Sequence, residues 1–308
     1  MLRGPSYRYA LVLLVVVVLA WGINWPVTKT IVREMSPLWS TALRCAIAAI
    51  VLALLLWWRG EFIVPRRGDV PVLLSASLLH MTAYSALVAA GLQFLPAGRA
   101  IVLGYTTPIW VTFGARIFLS EAISAGRAIG VCLGLSGLFM IVRPGSLDWS
   151  DRNAIVGGGL IMLAAFCWAA NIVYVRSHRW ISTPFQLVFW QLLLACIVLS
   201  IMAGLVDGTL HAIWTPRLVA LLLFSGIICT AMAHWAMLMV NRNLPAVTTS
   251  LGLLATPVIG IVSGAALLGE AFEPSLLAAL ALIVCGIVTG IVSDRCQKRP
   301  SSVIGMKK

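Results

Sequence analysis

The chain has 308 residues, of which 61% are hydrophobic and only 10% charged, with a mean hydropathy of +1.00. Soluble globular domains carry about 25% charged residues, so this composition excludes that class and reads as a chain dissolved in lipid. The formal net charge of +12 raises the question of a nucleic-acid partner, which the placement of the charges answers.

A helix needs about 20 apolar residues to cross roughly 30 Å of hydrocarbon. Ten runs meet that length, at approximately 10–28, 37–58, 71–92, 96–118, 125–143, 154–175, 184–206, 216–240, 245–268 and 274–293. The first run follows Arg3 and Arg8 and contains Val18-x-Ala20, the outline of a signal peptide. Its apolar stretch continues into Trp21-Gly22-Ile23-Asn24-Trp25, so it is read as a retained span. Connections are short and polar, and the candidate linker between the halves runs from Arg143-Pro144-Gly145-Ser146 to Asn153. A basic tail, 294–308, follows the last run.

Sorting the 22 Lys and Arg by alternate loops puts six (Lys29, Arg33, Arg99, Arg143, Arg152 and Arg217) on one side and Arg44 within a span. The remaining fifteen share the side of both termini. The positive-inside rule therefore places both termini in the cytoplasm and makes the basic charge a topology signal, with no nucleic acid implied. Six of the seven cysteines lie in apolar spans without a Cys-x-x-Cys pair, and Cys296 lies in the tail, so neither a disulfide framework nor a metal site is expected.

The sequence repeats itself. At an offset of 149, Leu95-Pro96-Ala97 aligns with Leu244-Pro245-Ala246, Thr107-Pro108 with Thr256-Pro257, and Glu121-Ala122 with Glu270-Ala271. At 147, Trp21-x-x-Asn24 aligns with Trp168-x-x-Asn171 and Pro37 with Pro184. Five spans per half is an odd number, so the second half must run inverted with respect to the first. Inverted repeats of this kind bind substrate near the midplane and work by alternating access.

These motifs resemble two EamA modules of the drug/metabolite transporter superfamily, covering 10–143 and 154–293. Within it, the chain is most similar to bacterial inner-membrane exporters of aromatic amino acids and methionine. The resemblance implies an all-α membrane fold of ten helices in two inverted five-helix repeats around a central cavity. Where the halves align, Trp39 and Arg44 meet Gln186 and Gln191, so the repeats differ where a substrate is to be gripped.

Candidate site residues follow from polar and aromatic groups inside the spans. Arg44 sits about two turns into the second span, where a cation costs roughly 2.5–3.5 kcal/mol on insertion scales and needs a partner or water. A cavity-facing Arg44 attracts a carboxylate; a structural one reaches the interface or a helix-terminal carbonyl. His80 and His234 occupy the third and eighth spans, with Tyr84 and Trp235 near them in sequence, and serve either as packing groups or as donors and acceptors in the cavity. Trp-x-x-Asn, in Trp21 with Asn24 and in Trp168 with Asn171, puts a ring and an amide on one helix face and suits a zwitterion with an apolar side chain. Pro108 and Pro257 fall in the middle of the fourth and ninth runs, where each is expected to kink its helix as a hinge or as fixed curvature. Tyr105, Thr106 and Thr107 beside Pro108 are expected to line the cavity.

Glu121 and Glu270 precede the fifth and tenth helices and read as helix-dipole partners. Gly126, Gly130 and Gly134 in the fifth helix, with Gly286 and Gly290 in the tenth, read as close helix packing or a dimer contact. No Asp or Glu occupies the middle of a span, which disfavours proton-coupled export of cations. No phosphate loop, metal cluster or nucleophile-base constellation appears, so neither cofactor nor catalytic residue is expected. The sequence thus points to an exporter of neutral amino acids, working as a monomer or weak dimer in the lipid bilayer. Another neutral metabolite or drug-like cargo, with or without proton coupling through His80 or His234, is the alternative. A membrane enzyme acting on lipid is the least supported.

Overall fold

A computed structural model describes residues 7–119, 125–142, 152–178, 181–244, 252–253, 255–269, 278, 281–282, 285–286 and 288–289. The linker through 151, Glu121, Glu270, Gly290 and the basic tail lie outside them. All regular elements among the described residues are helices. They are α1 (Tyr7–Glu34), α2 (Pro37–Trp58), α3, α4 (Ala97–Gly104), α5 (Thr107–Phe118), α6 (Ala125–Val142), α7 (Arg152–Ser177), α8 (Pro184–Val206), α9 and α10 (Thr256–Leu268). The rod α3 joins Val70–Ser75, Ala76–Tyr84 and Ser85–Phe94, and α9 joins Pro216–Leu223, Phe224–Met232 and Ala233–Asn243. Six helices among the described residues are long and apolar enough to cross a bilayer.

Local sequence sets the starts. Ser36, Thr183 and Thr215 each accept a backbone N–H in the first turn of α2, α8 and α9, with Pro37, Pro184 and Pro216 directly behind them. Proline fits there because its missing N–H would be unpaired anyway. Thr183 and Gln186 complete a reciprocal capping box. Gln186, aligned with Trp39, is thereby occupied at a helix start.

The middle segments of both rods, Ala76–Tyr84 and Phe224–Met232, are wound as π-helix and correspond at an offset of 148. Such wide turns are rare and cluster at functional sites. The fourth run is broken rather than bent: α4 ends at Gly104, Tyr105 and Thr106 form a turn, and Pro108 is the second residue of α5. Pro257 is likewise second in α10. The expected mid-helix kinks are therefore absent. Each proline opens a new helix, where it displaces no helical hydrogen bond.

Packing runs inside out. Along α2, Ala42, Cys45, Ala49, Leu52 and Leu56 are buried against Val188, Leu192, Ala195 and Leu199 of α8, while Ile50 and Leu54 stay about 60% exposed (61% and 59%) on the face left for lipid. Trp57 and Trp58 at its end are 77% and 82% exposed, the position of interfacial anchors. Backbones meet at glycines. A Cβ on Gly91 would stand 3.1 Å from the Gly157 carbonyl, and one on Gly157 would stand 3.3 Å from that of Gly91, so α3 and α7 touch at main-chain distance. Gly130 and Gly134 of α6 are met within the chain, since a Cβ on Gly286 would fall 2.6 Å from the Gly130 carbonyl and 2.9 Å from the Gly134 N. Small residues permit this approach where lipid supplies no hydrophobic drive.

Related contacts in the connecting segments also tie the halves together. Asp69 is fully buried and its carboxylate accepts from Ile181 N (2.8 Å) and Ser182 N (3.1 Å), fixing the segment before α8 to the start of α3. The related contact, between the α1–α2 turn and the segment before α9, is a bridge of Met35 with Ala212 and a 3.4 Å bond from Ile213 N to Glu34 O.

Candidate functional site

The cavity between the helices takes its walls from the last four turns of α1 (Trp21, Asn24, Trp25, Thr28, Ile31), the first turns of α2 (Ser40, Thr41, Arg44, Cys45), and α3 from His80 to Leu92. Tyr105 from the α4–α5 turn, Trp168 from α7, and Ser225, Thr230 and His234 from α9 complete it. Because the contributing parts of α1 and α2 flank the Met35-Ser36 turn, the cavity leans toward that end of the bundle. Its volume is about 90 Å³, enough to hold ordered water.

Its centre is an aromatic array built by both halves. Trp168 stacks on His80 with centroids 5.6 Å apart and planes 6° apart. Trp21 meets His234 edge-on at 5.7 Å, and the two imidazoles are 5.8 Å apart. Tyr84 lies 5.2 Å from Trp168, and Tyr105 stands edge-on to it at 6.1 Å. Each tryptophan thus pairs with the histidine of the opposite half. The two geometries differ, stacked in one pair and edge-on in the other. Trp21 is held by donating from Nε1 to the Cys229 carbonyl at 3.2 Å.

Arg44 is the charged side chain in this lining, and no Asp or Glu is present among the lining residues. Its Nε is buried without a hydrogen-bond partner among the described residues. Gln191, aligned with it in the second half, is a buried polar residue at 5% exposure. His234 donates from Nδ1 to the Thr230 carbonyl at 2.8 Å, and its Nε2 is buried and unpartnered. A carbonyl oxygen only accepts, so this bond fixes the tautomer and leaves Nε2 of the neutral ring as an acceptor.

Eight residues singled out from sequence come together in this wall: Trp21, Asn24, Arg44, His80, Tyr84, Tyr105, Trp168 and His234. Three others lie elsewhere. Asn171 is buried and accepts from the Ser75 hydroxyl at 3.1 Å, outside the lining. Thr107 donates to the Gly104 carbonyl at 2.7 Å, closing the turn before α5. Trp235 packs against the α1–α9 and α2–α8 cores. Trp39, expected near a gripped substrate, instead donates from Nε1 to the Gly208 carbonyl at 3.2 Å.

Sequence reasoning missed the serines. Asn24 accepts from Ser225 at 2.8 Å as Asn171 does from Ser75, so the same Asn–Ser bond crosses between the halves twice. The two asparagines are 147 residues apart and the two serines 150, two more than the 148 that relates their rods, so aligning the repeat pairs Ser225 with Ser77 and hides the match.

This double architecture recurs in known proteins. The EamA-like transporter family matches residues 8–143 and again 155–291. The chain belongs to that family. Relatives of this EamA-like chain extend over nearly its whole length. An uncharacterized transporter of Bacillus subtilis, YoaV, is 27% identical over 271 residues, 88% of this chain and 92% of its own. A probable amino-acid metabolite efflux pump of Salmonella typhimurium is 27% identical over 302 residues, 94% of this chain and 96% of its own. One solved crystal structure superposes with a TM-score of 0.73 at 18% identity, covering 94% of this chain and 98% of that one, a likeness of fold.

Proposed function

We propose that this EamA-like chain exports neutral amino acids, aromatic ones and methionine, from the bacterial cytoplasm across the inner membrane, by alternating access and down the substrate gradient. The observation that carries the reading is the cavity wall: a layered set of aromatic rings beside one cation, with no carboxylate in the lining. Rings welcome an aromatic or thioether side chain, and Arg44 supplies the positive pole for a carboxylate. A probable amino-acid metabolite efflux pump among the relatives supports the same class.

In this reading ten spans form two inverted halves, 10–143 and 154–293, with both termini cytoplasmic and the chain acting as a monomer or weak dimer. The cavity then opens on the side opposite the termini. The paired Asn–Ser bonds support an internal two-fold relation of this kind. Uptake and release of radiolabelled phenylalanine, tryptophan and methionine by proteoliposomes tests it. Flux above empty liposomes for at least one of the three is the expected result, and none for all three rejects the substrate class.

A second reading, export of another neutral planar compound, draws on the same rings, since stacking accepts any flat π-system. Competition of labelled tryptophan by a panel of heteroaromatic metabolites separates the two: the amino-acid reading requires other aromatic amino acids to compete better than ring compounds of equal size.

A further inference from the structure

Two buried atoms in the lining residues have no hydrogen-bond partner among the described residues, and they are chemical opposites. Arg44 Nε is a donor on a permanent cation. His234 Nε2 is an acceptor, because Nδ1 of the same ring spends its proton on the Thr230 carbonyl. Native proteins pair nearly all such groups, and an exception calls for an explanation. The wall itself offers none: no lining carboxylate is available to Arg44, and the nearest ring to His234 after Trp21 is His80, at 5.8 Å between centroids. The two residues also belong to different halves of the repeat, Arg44 to α2 and His234 to α9.

We infer that these two atoms take the two ends of an α-amino acid, the α-carboxylate at Arg44 and the α-ammonium at His234 Nε2, while the side chain lies against Trp168 and Tyr84. The assignment rests on the amino-acid reading above and narrows it to zwitterions. A ligand with both charges bridges α2 and α9 and so joins the halves. A ligand lacking one charge leaves one buried group unpaired and engages a single half. Neither atom has accessible surface in this conformation, so the covering rings must turn as the ligand settles. The edge-on Trp21, whose ring lies 5.7 Å from His234, does so by releasing its Nε1 bond to the Cys229 carbonyl.

Three ligands that share an indole ring dissect the two contacts: tryptophan, tryptamine (no carboxylate) and indole-3-propionate (no ammonium). Binding of each to the purified full chain in detergent is measured by isothermal titration. The wild type is expected to prefer tryptophan to either analogue by about tenfold or more, the scale of one charge-assisted hydrogen bond. Arg44→Gln, which copies the residue at the aligned position of the second half, should abolish the preference over tryptamine and keep that over indole-3-propionate. His234→Phe should do the reverse, and His234→Gln, whose amide oxygen accepts, should restore the wild-type order.

A merely structural role would weaken all three ligands in parallel. Parallel loss in both variants, or a wild type that binds tryptophan without preferring it, overturns the two-ended assignment and leaves the amino-acid reading in place. A wild type that binds none of tryptophan, phenylalanine and methionine overturns both.

Discussion

Replacing Asp69 with Ala tests whether the halves are held by the clasp described here. The carboxylate is fully buried and receives two backbone donors, Ile181 N at 2.8 Å and Ser182 N at 3.1 Å. Hydrogen bonds to a charged group contribute about 1.5–3 kcal/mol each, and a donor left buried and unpaired costs about 1–3 kcal/mol. Ile181 is itself 54% exposed, so water recovers part of its bond. The two donors together then correspond to about 3–5 kcal/mol. With an unfolding entropy of about 2.1 cal/mol/K per residue, the 308 residues give about 0.65 kcal/mol/K, and the melting temperature should fall by about 5–8 °C. Asp69→Asn keeps one acceptor oxygen and should lose about half of that. Tryptophan fluorescence of the detergent-purified protein during heating reads the transition. A Tm for Asp69→Ala within about 2 °C of wild type would contradict the clasp.

Other expectations follow from the same geometry. Trp168→Ala removes the ring that contacts His80, Tyr84 and Tyr105, and should lower flux at subsaturating substrate about tenfold or more, with Trp168→Phe intermediate. Trp235→Phe, outside the lining, should leave the KM for transport unchanged. Gly91→Leu drives a side chain into Ile161 and the Gly157 carbonyl and should abolish recovery of folded protein by size-exclusion chromatography, whereas Gly159→Ala, with nothing within 4 Å of its Cβ, should leave it intact. A double-mutant cycle on Ser75→Ala and Asn171→Ala should return a coupling of about 1 kcal/mol in thermal stability.

Much of this was legible from the chain alone, for a physical reason: in lipid, polarity has to be hidden or used, so polar residues inside apolar runs announce the interior. That logic brought Arg44, the two histidines and the Trp21 and Trp168 pair to the cavity. It could not tell a group that faces the cavity from one consumed by a neighbouring helix. Asn171 is the example, since Asn24 and Asn171 share a motif and each accepts from a serine of the opposite half, Ser225 and Ser75, yet of the two Asn24 alone lines the cavity. Proline showed a similar limit. Thr107-Pro108 and Thr256-Pro257 sit inside long apolar runs that periodicity reads as one helix each, and the break before Thr107 is closed by hydroxyl-to-carbonyl bonds of Thr106 and Thr107 at the Tyr105 turn. Asp69 reads locally as a loop acid; its partners are 112 and 113 residues away.

An amino acid that crosses the membrane through this cavity must exchange across it in both directions. Counterflow measures this most directly: proteoliposomes preloaded with unlabelled tryptophan, carrying wild type or Trp168→Ala, are diluted into radiolabelled tryptophan. Transient accumulation of label with the wild type, strongly reduced by the substitution while folded protein in the liposomes is unchanged, is the predicted result. Equal accumulation in wild-type, Trp168→Ala and empty liposomes would contradict it.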